Sequence, residues 1–311
     1  MKFARILGYC VLAVSAGYLA MAVWRYANAL PTIAWDGSTA AMLCGSIVLY
    51  LIQVSAAGMA WHLWLSAIRE PSRPQVAIAL FAISQFAKYV PGGIAHHIAR
   101  VALGKRHGLG TPGMVITIAL EQSCALMAGI VIAATALAFI GPSLAGIALP
   151  SPLRLSLIAL IALLVPLACV WLIGESRPAI LDSWLGPRRI AHLRLGTLLS
   201  CFLLYCAGLA NSGWNIDLLA RYLLGAPKSD VLLAIGVFAV SWVAGFITLV
   251  APGGIGVREA VLLAGLTPAY GPGTALAVAV AYRVVTSVGD GIAFLLGFAV
   301  ERHLGRARQG R

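Results

Sequence analysis

Charge is what this sequence has least of. Only 10% of its 311 residues are charged, where a soluble domain carries roughly a quarter. That shortage excludes an ordinary water-soluble fold, because no stretch is polar enough to wrap a soluble core. Acidic residues are the scarcer kind, ten Asp and Glu against 22 Lys and Arg. The first outer loop offers only Asp36, so an acidic metal-binding pair is missing there. No Gly-x4-Gly-Lys-Ser/Thr run occurs, which argues against ATP use by this chain. No Ser-Gly-His phosphatase signature occurs either, and the short loops argue against an enzyme. Cys10, Cys44, Cys124, Cys169, Cys201 and Cys206 all fall in apolar stretches without CxxC spacing. They read as small packing residues and say little about redox compartment.

What the sequence has in abundance is apolar length: 61% of residues are hydrophobic. Runs of about 20 apolar residues, enough to cross a bilayer, recur throughout. Six full spans are expected, at Arg5–Tyr26, Ser38–Ile68, Pro112–Ile140, Leu153–Ile173, Leu195–Ala220 and Gly273–Val300. The first reads as a retained span rather than a cleaved signal peptide, since its apolar run is long and Trp24-Arg25-Tyr26 ends it like an interfacial anchor. Trp35, Trp184 and Tyr222 read as further interfacial aromatics. Two other apolar regions, Gln75–Leu103 and Val231–Leu266, are each interrupted by Pro-Gly-Gly. They read as broken helical hairpins, either re-entrant or tight spanning pairs.

The net charge of +12 does not point to nucleic acid, because the basic residues sit mostly in short loops and the tail. With the N-terminus inside, fourteen Lys and Arg fall on the cytoplasmic side. Only Arg25, Arg154, Arg221 and Lys228 fall outside, the positive-inside pattern with both termini cytoplasmic. Lys88, Arg100, Arg258 and Arg283 remain at membrane depth.

The sequence repeats itself. Phe86-Ala87-Lys88-Tyr89-Val90-Pro91-Gly92-Gly93-Ile94 is answered 161 residues later by Ile247-Thr248-Leu249-Val250-Ala251-Pro252-Gly253-Gly254-Ile255. The same offset sets Glu121-Gln122 opposite Tyr282-Arg283. Each half then runs span, span, broken hairpin, span, the plan of an inverted-topology repeat. The expected fold is all-α: a polytopic helical membrane protein with six full spans plus two broken helical hairpins. It forms one transmembrane domain over residues 1–311, with repeat 1 at about 1–145, repeat 2 at about 150–302 and a basic cytoplasmic tail at 302–311. The alternative is that Pro-Gly-Gly is a generic loop in a glycine-rich chain.

A broken helix frees backbone groups that lipid does not satisfy, so a break belongs against protein or in a wet cavity. After Gly253 and Gly254, the following helix offers its N-terminal N–H groups to an anion, and Arg258 adds a guanidinium fork. Glu259, Glu121, Arg283 and Asp290 are charged at membrane depth, where such groups pair or line a polar path. Arg258, Glu259, Glu121, Arg283 and Asp290 are expected to converge; the alternative is separate helix-to-helix pairs without a ligand. Lys88 and Tyr89 before Gly92-Gly93, with His96, His97 and Arg100 after, are the counterpart in the first half. Adjacent histidines do not share a helix face, so no metal is expected there. Asn211 and Asn215, four apart, are expected to bond across helices.

The motifs PGGIGVREA at 252–260, QFAKYVPGGI at 85–94 and AYRVVTSVGDG at 281–291 resemble one family. It is the lysylphosphatidylglycerol synthase transmembrane region, also called the flippase-like integral membrane family, and the similarity covers nearly the whole chain. The resemblance implies a bacterial cytoplasmic membrane protein that moves lipids. It also implies that Arg258, Glu259 and Arg283 carry the function. Well-studied members join this region to a soluble aminoacyl-transferase domain. This sequence stops at Arg311, shortly after its last expected span, so aminoacyl transfer is not expected. The leading expectation is a flippase for an anionic phospholipid or polyprenyl-phosphate-linked envelope lipid, with no cofactor. The alternatives are a secondary transporter of a small soluble solute, a membrane-embedded enzyme, or a non-transporting partner of envelope-biosynthesis enzymes docked through Arg188-Arg189 and the tail. Membrane lipids are the expected partners.

Overall fold

The computed structural model describes residues 24–70, 72–90, 94–140, 195–226, 228, 230–248, 254 and 256–309, and positions 17, 21, 156 and 160. The expected spans at Arg5–Tyr26 and Leu153–Ile173 fall largely outside these residues, as do Gly92, Gly93, Gly253 and Trp184. Among the described residues all regular structure is helical.

The helices are α1 (Gly37–Ala67), α2 (Pro74–Gln85), α3 (Ala95–Arg106), α4 (Thr111–Ile140), α5 (Leu195–Leu218), α6 (Val231–Ile247), α7 (Val257–Tyr270) and α8 (Pro272–Gln309). Local chemistry sets their ends. Asp36 caps α1 by accepting from the Thr39 N–H at 2.9 Å, and Asp230 caps α6 by accepting from Leu233 at 3.0 Å. Pro74 opens α2 at a position where no amide hydrogen is needed. Pro272 opens α8 just after Gly271 turns the chain with φ +77°. A 3-10 turn, Phe86–Tyr89, follows α2, and a π turn, Leu219–Leu223, follows α5.

Four of these helices are long and apolar enough to cross a membrane: α1, α4, α5 with its π turn, and α8. The polarity is that of a membrane protein. Val48, Ile52, Leu199, Leu203, Leu295 and Leu296 face outward, while Glu121, Asp290 and Arg100 are buried. Lipid takes the place of water around such a surface. The chain is a multi-pass, all-α membrane protein. The last helix runs past the expected end at Val300 to Gln309, so the basic tail continues α8 that far.

The short helices explain the breaks. Twelve residues, the length of α2 and of α3, rise about 18 Å, little more than half of a roughly 30 Å hydrocarbon core. The open end of the first hairpin lies at one pole, where the Gly110 N–H donates to Glu70 and His107 meets Glu301. The open end of the second lies at the other pole, where Tyr270 and the Asp230 N–H both donate to Asp217. Both breaks therefore point to the middle, from opposite sides.

Packing between the halves is reciprocal. α4 packs on α6, and α8 packs on α2, so each final helix of one half covers the first hairpin helix of the other. α1 and α5 pack directly together. There Asn211 donates to the Leu49 carbonyl at 3.1 Å and to Gln53 at 3.2 Å, and Asn215 donates to the Ser46 carbonyl at 2.9 Å. The two asparagines bond across helices as expected.

Candidate functional site

A cavity of about 470 Å³ lies where the two breaks meet. Its wall is drawn from every described helix. Gln85 and Lys88 come from the end of α2 and its turn, and Ile94, His96 and His97 from the start of α3. The second half contributes Gly245, Phe246 and Thr248 at the end of α6, and Gly254, Arg258 and Glu259 around the start of α7. Tyr50 and Gln53 of α1, Glu121 and Gln122 of α4, Tyr205 of α5, and Tyr282, Arg283 and Thr286 of α8 close it.

The second break is built around glycine. Gly254 and Gly256 take φ +70° and +88°, conformations that side chains with a Cβ rarely adopt. The Arg258 side chain runs between Gly245 and Gly254: a Cβ on either would lie 2.6 or 2.7 Å from its Nε. This Nε is buried without a hydrogen-bond partner, as is one terminal nitrogen of Arg283. Among the described residues Arg258 makes no ion pair. Arg283 meets Glu259 at 3.6 Å and lies 5.8 Å from the Tyr89 ring centre.

The start of α7 is capped from within, by the residue three positions after Gly256. The Glu259 carboxylate folds back and accepts from the Gly256 N–H at 2.6 Å. That N-cap amide is therefore not offered to a ligand, while Arg258 and Arg283 each keep a guanidinium nitrogen without a hydrogen-bond partner among the described residues.

Two further ion pairs run from the wall into the protein behind it. Asp290, fully buried, meets Lys88 Nζ at 2.7 Å and accepts from the hydroxyls of Tyr50 at 2.7 Å and Tyr89 at 2.6 Å. Arg100, also fully buried, meets Glu121 at 2.6 Å. Its guanidinium stacks over Phe81 at 4.2 Å and Trp61 at 5.1 Å, and its Nε donates to Ser84 Oγ at 3.3 Å. Planar stacking with bidentate potential suits arginine rather than lysine at such a depth.

Of the residues singled out in the sequence, Arg258, Glu259, Arg283, Glu121, Lys88 and Gly254 line the cavity. Asp290, Tyr89 and Arg100 sit one contact behind it. Asp290 does not join the Arg258 group directly, because Lys88 takes its carboxylate. Arg283 and Asp290 share a helix but bond to different halves, to Glu259 and Lys88. Gly92, Gly93 and Gly253 lie outside the described residues. The sequence reading missed Tyr50, Gln53, Gln85, Tyr205 and Tyr282. Tyr50 and Gln53 were findable as polar groups three apart inside an apolar span; the two aromatics carried no such mark.

The family model for the lysylphosphatidylglycerol synthase TM region matches residues 9–293, a stretch that includes both breaks and every residue of the cavity wall. The chain belongs to this family. No curated protein matches it. Membership makes it a membrane protein of a lipid-handling family.

Proposed function

We propose that this chain is a lipid translocator for an anionic phospholipid or a polyprenyl-phosphate-linked envelope lipid in the bacterial cytoplasmic membrane. The observation that carries the reading is Arg258: a cation without an ion-pair partner among the described residues, lining a cavity at two opposed helix breaks. A buried guanidinium in a water-poor site is stabilised by an anion, and phosphate oxygens match its fork. In this mechanism Arg258 and Arg283 hold the phosphate while the acyl or prenyl chain stays in lipid. Ile94 lines the cavity and is 54% exposed, with Val90 and Ile98 exposed beside it. These residues mark the first break as the sideways opening for the tail.

The two halves are read as inverted repeats, with both termini cytoplasmic. Their reciprocal packing and their opposed hairpins support alternating access, one half rocking against the other about the fixed cavity. The chain acts as a transporter and not as an enzyme, with membrane lipids as its partners. The test is a flippase assay on the purified chain in vesicles holding a labelled anionic lipid. Arg258→Ala and Arg283→Ala are each expected to cut the rate about tenfold or more. Wild-type rates in both variants would refute the site.

A further inference from the structure

The charges around the cavity nearly cancel, and the remainder has a definite size. Asp290 takes Lys88, Glu121 takes Arg100 and Glu259 takes Arg283. Each carboxylate is matched to one cation, and Arg258 is left over. With His96 and His97 uncharged, the wall holds one surplus positive charge. Where a bound headgroup displaces the water between itself and the wall, an unmatched charge is costly on either side of the contact. A headgroup without net charge leaves Arg258 uncompensated. A headgroup with two negative charges leaves one of its own uncompensated.

The rest of the polar wall is neutral and faces both ways. Gln53 gives its carbonyl oxygen to Asn211 and Ser212, at 3.2 and 2.9 Å, which leaves its N–H groups as donors. Gln122 donates to Glu121 at 3.1 Å and keeps its oxygen as an acceptor. A hydroxyl group both gives and accepts, so it satisfies either amide.

We propose that the cavity selects a headgroup of one net negative charge: a phosphodiester joined to an uncharged, hydroxyl-bearing group such as glycerol or a sugar. Phosphomonoesters, diphosphates and bis-phosphate lipids are discriminated against. The inference rests on the translocator reading for the lipid character of the ligand, and on the charge count for its headgroup.

The test is lipid competition on the purified full-length protein, read by native mass spectrometry at pH 7.5. The probes are phosphatidylglycerol, phosphatidic acid, cardiolipin and phosphatidylcholine. Phosphatidic acid, as a phosphomonoester, carries up to about two charges near that pH. Phosphatidylglycerol is expected to be retained about tenfold over each of the others. Phosphatidic acid or cardiolipin held as well as phosphatidylglycerol would overturn the single-charge inference and leave the anion site standing. Phosphatidylcholine held as well as every anionic lipid would overturn the anion site itself, and the proposed function with it. Arg258→Gln is expected to erase the preference. Glu121→Gln raises the surplus to two, and is expected to move the preference toward phosphatidic acid. This gain would not follow from a structural role, so an unchanged ranking in Glu121→Gln overturns the inference even if Arg258→Gln fails to fold.

Discussion

Arg258 reaches the cavity only because two neighbours have no side chain. Gly245 on α6 and Gly254 at the break leave a slot, and a Cβ at 245 would also lie 2.7 Å from Arg258 Cγ. Gly245→Val is therefore expected to push the guanidinium aside while leaving α6 intact. Misplacing a binding group by about 1 Å costs roughly 10²-fold, and lipid flipping should fall by about that factor with little change in thermal stability. A large loss of stability with normal flipping in the surviving fraction would contradict this role. At this scale the sequence is informative about chemistry and poor on partners. Arg258, Glu259 and Arg283 stand out as charges at membrane depth, and the three-residue spacing of Gly256 and Glu259 suits a local cap. Nothing in the spacing says that Glu259 also pairs with Arg283, because that depends on how α7 and α8 meet.

At the scale of elements, the first break is tied to α8 by a cluster of buried polar groups. Lys88 and Tyr89 lie on the 3-10 turn, and both reach Asp290. Lys88→Met leaves the Asp290 charge fully buried and should cost about 3–5 kcal/mol, whereas Asp290→Leu leaves Lys88 facing the cavity and should cost less. The double variant is expected to recover most of that loss in a thermal unfolding scan. Additive losses would mean that the pair is not coupled. A smaller effect is expected at the second hairpin, where Asp230→Ala removes the cap of α6 and should cost about 1 kcal/mol. The elements themselves were legible: α1, α4 and α8 begin within a residue of the expected spans, because apolar runs and prolines mark them. The hairpins were legible as breaks, since Pro-Gly-Gly does not continue a helix. The short reach of α2 and α3 follows from counting residues.

At the scale of the whole molecule, the opposed hairpins make a topological prediction. In a cysteine-free background, Arg73→Cys and Lys228→Cys are expected to react with a membrane-impermeant thiol reagent from opposite faces, with position 73 on the cytoplasmic side. Labelling of both from one face would end the inverted-repeat reading. The reciprocal packing of α4 on α6 and α8 on α2 also means that the cavity belongs to neither half. Glu121 from one half and Arg258 from the other face the same space.

Composition and periodicity alone determined that this chain lives in a membrane, where its helices are interrupted, and which ionisable groups are stranded there. These are properties of the chain against its solvent, and each is written locally: an apolar run, a Pro-Gly-Gly, a charge within a span. Only the tertiary structure decided which stranded charges neutralise one another and which is left over. Asp290 finds Lys88 across 202 residues and Glu121 finds Arg100 across 21. Pairing at such separations is set by helix packing, which no local pattern encodes.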